Sequence, residues 1–376
     1  MGNCDSSSEK NNLKYISNSE KTKESTHTST NISSNSNSFL HISQNYLNQK
    51  EDNHILLKKH HSNPVENNYY FLPEKLAKRE DITKKYKISN ISLGNGATSS
   101  VFLAENYKNE KFAIKKIKKE KIIKKKEVAI KEAEICFKFH HENIIKYYEI
   151  YEDINFIYIV MELGVTDLFE LIVNSPNGRI SEDVTIDFLI QIFEVIDYLH
   201  NEENIIHCDI KPENFIVKYD EKQIKLKLVD FGNIRKKPIN NERLLNFSGT
   251  KEYMAPETLE NYGYNEKIDE WAAGIIMYNM LTGCDPFSAD TDSDYKERIK
   301  FTEIKFEYIK NESLRELNKK LLNRYIAKRF TAKEALEEIK NIKNNMIKNN
   351  NYNIKENMKY IINHLDNISN KIINIA

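Results

Sequence analysis

Asp209, Lys211 and Asn214 lie within one short run, His207-Cys208-Asp209-Ile210-Lys211-Pro212-Glu213-Asn214, and Asp230-Phe231-Gly232 follows it closely. The run groups a carboxylate able to take a proton from a hydroxyl with an ammonium able to face phosphate oxygens. Asn214 and Asp230 add two oxygen donors of the hard kind that magnesium prefers. Together they are the parts of a phosphoryl-transfer site, where a protein supplies position and charge rather than covalent chemistry. Taken singly, each has a blander reading: Asp209 could be a turn residue and Asn214 a helix cap. Their combination at this spacing carries the chemistry.

The run resembles the HRDLKPEN catalytic loop and the DFG metal motif of protein kinases, and the partners of those motifs stand in the same order along the chain. Leu93-Gly94-Asn95-Gly96-Ala97-Thr98-Ser99-Ser100-Val101 resembles the glycine-rich loop and Phe112-Ala113-Ile114-Lys115 the nucleotide-contacting strand. Ala255-Pro256-Glu257 resembles the end of the activation segment. A glycine motif alone would read as a hairpin turn, whereas so many motifs in kinase order rarely coincide. The resemblance implies an α+β, bilobal protein kinase fold, with a small β-rich N-lobe and a larger α-helical C-lobe. It also implies transfer of the γ-phosphoryl group of ATP, with Mg2+, to protein hydroxyls. Lys211 with Gly249-Thr250 is similar to the serine/threonine branch.

Carried over residue by residue, the resemblance makes Asp209 the base, Lys211 the cation on the transferring group, and Asn214 and Asp230 the magnesium ligands. Lys115 contacts the α- and β-phosphates and is oriented by Glu132, which precedes His141-Glu142-Asn143-Ile144, a string similar to the turn after the family's regulatory helix. Gly94 and Gly96, after Leu93, let the backbone lie over phosphates where a side chain would collide or restrict the turn. Adenine is expected at the backbone of Met161-Glu162-Leu163-Gly164, between Val101 and Ala113 above and Ile216 below, with Asp167 at the ribose. Glu257 is expected to pair with Arg329, and Asp269 to anchor the catalytic loop from below.

Three positions depart from the pattern. Cys208 stands where most kinases have arginine, and a thiol cannot make a bidentate, charge-assisted contact with a phosphate. Asn246 stands where many relatives are phosphorylated, and Ser99 replaces the third glycine. The first two imply activity without activation-loop phosphorylation. The rival reading of the departures is a membrane-tethered pseudokinase scaffold, against which the intact Lys115, Asp209, Asn214 and Asp230 argue. Asp167 and Glu213 imply a preference for basic residues before the acceptor, although Asn279 withholds a further acidic contact.

The 376 residues carry 56 basic and 56 acidic side chains, so no overall field favours nucleic acid. The cysteines, Cys4, Cys136, Cys208 and Cys284, show no metal-ligand spacing and suit a reducing compartment. No apolar run approaches the roughly 20 residues needed to span a bilayer. Residues 1–68, rich in Ser and Asn, read as a disordered leader. Residues 69–83 read as a pre-kinase segment, 84–340 as the kinase domain and 341–376 as an amphipathic helical tail.

Met1-Gly2-Asn3-Cys4-Asp5-Ser6 fits the pattern for myristoylation of Gly2, with Cys4 as a palmitoylation site. Two acyl chains would hold the protein on the cytoplasmic face of a membrane. With the kinase motifs, this start resembles the calcium-dependent kinases of the calmodulin-kinase-like group. Their EF-hands are not seen here: Asp290-Thr291-Asp292-Ser293-Asp294 begins like a calcium loop, but Tyr295 and Phe301 fall where glycine and glutamate belong. In the tail, Ile354, Met358, Ile361, Leu365, Ile368 and Ile372 form one apolar helical stripe. It could pack on the large lobe, block the substrate site, bind a calmodulin-type partner or self-associate.

Overall fold

A computed structural model describes residues 70–375 except 97, 123–125, 221–222, 240–241, 260–262 and 290. Gly2 and Cys4 lie outside the described residues, as does the whole of the leader.

The small lobe is a five-stranded antiparallel sheet of β1 (Tyr86–Asn95), β2 (Ser99–Asn106), β3 (Lys111–Lys118), β4 (Tyr147–Glu152) and β5 (Phe156–Glu162), in the order β1-β2-β3-β5-β4. Its strands are rich in Ile, Phe, Tyr and Val, whose branched and aromatic side chains suit a pleated, half-buried surface. Ile114, Ile150, Ile157 and Val160 are buried. Helix α1 (Lys126–Cys136) covers part of the sheet, with Ala129 and Ala133 inward.

The large lobe is built around α3 (Glu182–Asp197) and α4 (Lys267–Thr282). Ile192, Phe193, Ile276 and Met277 are completely buried there, so α4 is apolar nearly all round, as expected for a helix with no solvent face. Further helices are α2 (Leu168–Asn174), α5 (Asp292–Phe301), α6 (Glu312–Leu321), α7 (Ala332–Lys348) and α8 (Ile354–Ile375). Between the lobes, β6 (Thr166–Asp167), β8 (Phe215–Asp220) and β9 (Gln223–Leu228) form a small sheet in the order β6-β8-β9, while β7 (Ile205–Ile206) pairs with β10 (Arg235–Lys236). These short pairings aim the loops that carry Asp209, Asn214 and Asp230.

Both domain edges read from the sequence fall inside packed structure. Leu72, Ala77 and Ile82 are buried in the small lobe ahead of residue 84, and α7 runs unbroken through residue 340 from a capping box formed by Thr331 and Glu334.

Ile354, Met358, Ile361 and Leu365 of the tail stripe are covered by the large lobe. Ile361 and Leu365 are buried within the core cluster, and Ile354 and Met358 pack at its edge. Asp183, at the start of α3, fastens the helix by accepting from Asn353 N at 2.7 Å and Asn357 Nδ2 at 2.9 Å. Tyr352 donates to Asp187 at 2.6 Å, and Tyr360 to the Asn174 carbonyl at 2.9 Å. Of the arrangements left open by the periodicity, this is packing on the large lobe.

Candidate active site

Lys115 stands on β3, and its ammonium lies 2.6 Å from Glu132 Oε1 on α1 and 3.3 Å from Asp230 Oδ1. Burial alone would lower the lysine's pKa, but the two carboxylates outweigh it and hold the ammonium above its ordinary range. Lys115 in turn holds the Asp230 carboxyl below the usual range, keeping it ionised. Asp230 itself has a left-handed backbone, φ 64°. The neighbouring Phe231 ring is buried edge-on between Phe139, at 5.6 Å, and His207, at 5.3 Å, which fixes the turn.

Asp209 is buried in the catalytic loop and accepts at Oδ1 from both the amide (3.0 Å) and the hydroxyl (2.7 Å) of Thr250. Lys211 Nζ donates to the same hydroxyl at 2.8 Å and sits 3.6 Å from Asp209 Oδ2. Asn214 Nδ2 donates to the Asp209 carbonyl at 2.8 Å and to its Oδ2 at 3.3 Å. Asp209 and Lys211 therefore meet at Thr250, and Asn214 joins them through Asp209. From the sequence, Thr250 marked only a branch of the family; the sole signal of its role was its place beside Gly249, ahead of Ala255-Pro256-Glu257. A side chain at Gly249 would have its Cβ 2.5 Å from the Cys208 carbonyl, so only glycine lets this segment reach the loop.

From below, Asp269 accepts from the amides of His207 at 2.8 Å and Cys208 at 3.0 Å, and from His200 Nε2 at 2.9 Å. The other His200 nitrogen lies 3.2 Å from Glu270 Oε1. Burial would lower the His200 pKa, but Glu270 and Asp269 reverse this and push it up to about 10. A folded-state pKa raised above the ordinary 6.5 means stability that is whole below about pH 6.5 and lost as pH rises through about 10. Urea unfolding should therefore show stability declining across that window. His200→Gln should flatten the slope, and an unchanged slope in the variant would exclude the imidazolium as its source.

At the expected adenine position the hinge lies hard against Ile216: a Cβ added to Gly164 would fall 2.1 Å from Ile216 Cγ2. Ala113 faces Met161 across β3 and β5, while Val101 faces Lys115 across β2 and β3. Leu93 is exposed on β1. The side chain of Glu162 turns away from any base, because its carboxylate takes the Lys146 amide at 2.8 Å and the ammoniums of Lys218 at 2.8 Å and Lys227 at 3.3 Å. Only backbone is left there for recognition, beside that of Leu163. Asp167 caps α2 by accepting from Glu170 N at 2.9 Å, and burial pushes its pKa up to about 6.

An added Cβ at Gly94 meets nothing within 4 Å, and at Gly96 the nearest atoms belong to Ser99 at 3.7 Å. Within the chain a side chain at either position meets open space or ordinary contact, and the expected collision concerns bound phosphates.

Cys208 also has a left-handed backbone, φ 67°, and burial pushes its thiol well above the ordinary range. The segment opposite is held by other means. Leu244 and Tyr264 exchange backbone hydrogen bonds of 2.8 and 2.9 Å, and the Phe247 ring meets Tyr264 edge-on at 5.4 Å.

Comparison with known proteins gives a consistent picture. A family model described as the protein kinase domain matches residues 87–339. Calcium-dependent protein kinase 5 of Plasmodium berghei is 36% identical over 226 residues, 60% of this chain and 39% of that protein. Calcium/calmodulin-dependent protein kinase type 1 of Caenorhabditis briggsae is 32% identical over 58% of this chain and 60% of its own length. Myosin light chain kinase A of Dictyostelium discoideum is 36% identical over 58% of this chain and 74% of its own length. The chain thus spans less than two thirds of the first two relatives.

Proposed function

Because the chain belongs to the protein kinase domain family, we propose that it is a serine/threonine protein kinase that moves the γ-phosphoryl group of MgATP to hydroxyls of protein substrates. The observation that carries this reading is the cluster in which Asp209 and Lys211 share the Thr250 hydroxyl and Asn214 holds Asp209, together with the Lys115–Glu132 pair. Asp209 orients the substrate hydroxyl and takes its proton. Lys211 offsets charge on the transferring group, and Lys115 steadies the other phosphates. Gly94 and Gly96 leave room for phosphates beneath the hairpin, which is a sufficient reason for glycine where the chain supplies no collision.

The donors present suit magnesium. The Asn214 amide nitrogen is taken by Asp209, which leaves its oxygen as a hard ligand, and Lys115 keeps Asp230 ionised. Asn214 and Asp230 would hold the ion, which when bound would supply positive charge to offset that of the phosphates. The intact groups also weigh against the scaffold reading, since Cys208 acts on none of them through its side chain. The direct test offers the purified chain MgATP with serine/threonine and tyrosine peptides. Phosphate on serine or threonine supports the proposal, and a chain that binds ATP without transfer would favour the scaffold.

Activation-segment phosphorylation is not required in this reading, because Asn246 cannot accept phosphate and Phe247 with the Leu244–Tyr264 pairing holds the segment down. Phosphatase-treated protein is expected to keep its peptide kinase rate within about twofold. A complete loss on treatment would reverse the conclusion. Gly2 and Cys4 would tether the kinase to a membrane through acyl chains, a reading open to intact-mass analysis of the N-terminus. A calmodulin-type partner for α8 would first have to free Ile361 and Leu365 from the large lobe.

A further inference from the structure

Glu152 ends the edge strand β4 and is almost completely buried, yet the catalytic reading does not use it. A buried carboxylate is tolerated only when donors surround it. It accepts from the amides of Phe71 at 2.5 Å and Leu72 at 3.1 Å, pairs with Arg79, and lies 2.7 Å from Lys119 Nζ. Three of these four donors come from residues 70–79. Arg79 also reaches the Leu72 carbonyl, which folds the segment on itself. Lys78 extends the sheet edge in parallel: its amide donates to the Ile150 carbonyl at 2.8 Å, and the Glu152 amide to the Lys78 carbonyl at 2.9 Å.

The held segment leans on the helix that carries Glu132. Leu72 and Ala77 share one apolar cluster with Ala129 and Ala133 of α1, and Phe71 packs against it with Lys126 Nζ 5.3 Å over its ring. Ala129 and Ala133 are one turn apart and so share a face, and Glu132 stands on the neighbouring face, toward Lys115. Small residues on the inner face bring the helix close, so its position depends on what fills the space beside them.

We infer that residues 70–79 are a positioning element for the Lys115–Glu132 pair, with Glu152 as the group that locks them in place. Phe71 and Leu72 fill the space behind α1, and without them the helix can draw Glu132 away from Lys115. The activity part of this inference rests on the kinase reading; its structural part does not.

The full chain carrying both Phe71→Ala and Leu72→Ala tests it, with Leu72→Met as the conservative control. At a temperature well below unfolding, kcat/KM for ATP should fall at least about tenfold in the double variant, while the control stays within about twofold. Amide hydrogen exchange should quicken across 126–136 and stay unchanged across 267–282. Native turnover and native exchange in 126–136 would overturn the inference, as would protection lost equally in both regions, which would make the segment a general stabiliser. Wild-type protein without transfer would instead count against the kinase reading, and the exchange measurement needs no activity.

Discussion

Asp209→Ala is expected to lower peptide phosphorylation by about 10²–10⁴-fold while KM for ATP stays within about twofold. In the proposed reading the carboxylate takes the substrate hydroxyl's proton, and it makes no hydrogen bond to the Lys115–Glu132–Asp230 cluster that would hold the nucleotide. The loss should therefore fall on kcat. Thr250→Val tests the same arrangement from the other side. It removes the hydroxyl that donates to Asp209 and accepts from Lys211, whereas Thr250→Ser keeps it. Serine should preserve most of the rate, and valine should lose a large share of it. If Asp209→Ala and wild type gave equal rates, proton acceptance would have to be reassigned to another group.

Arg329→Ala carries the largest expected effect on stability. Its guanidinium makes a two-pronged pair with Glu257 at 2.6 and 2.9 Å, donates to the carbonyls of Lys267 at 2.8 Å and Asn323 at 3.0 Å, and lies 5.0 Å from the centre of the Trp271 ring. Both partners are buried. Removing one leaves an unpaired buried charge, which costs about 3–5 kcal/mol. That is a large part of the roughly 5–15 kcal/mol that keeps a domain folded. Denaturant unfolding should show the loss directly, with Glu257→Ala similar in size. Removing both partners should cost less than the two single losses summed, because neither charge is then left alone. Full additivity would mean that the two groups act independently.

The chemistry was legible because it restricts residue type at short spacing. Asp209, Lys211 and Asn214 occupy one loop, and few side chains other than theirs can accept a proton, meet a phosphate and offer an amide oxygen at that spacing. Lys115 and Glu132 could be matched because a cation on a flexible stem needs a fixed carboxylate nearby, and the structure places them 2.6 Å apart. Helices α3 and α4 carry a related local signal: Phe188, Ile192, Val195 and Ile196 on α3 and Ile275, Ile276, Met277 and Met280 on α4 have few places to go other than a core.

What the tertiary structure alone decided are contacts between side chains whose types are ordinary. Thr250 reaches Asp209 across 41 positions, and Phe71 reaches Glu152 across 81. Neither pairing has a local signal, because a threonine hydroxyl or a backbone amide can be satisfied by many partners or by water. The carboxylate of Glu162 turns to Lys218 and Lys227 rather than toward a base for the same reason. The tail stripe announced that it must be covered but not by what, since an apolar face carries no address. Residue identity sets which chemistry a chain can perform and which faces must leave water; only packing of distant segments, each contributing geometry that no short window contains, sets which of many equivalent donors, acceptors and apolar faces meet.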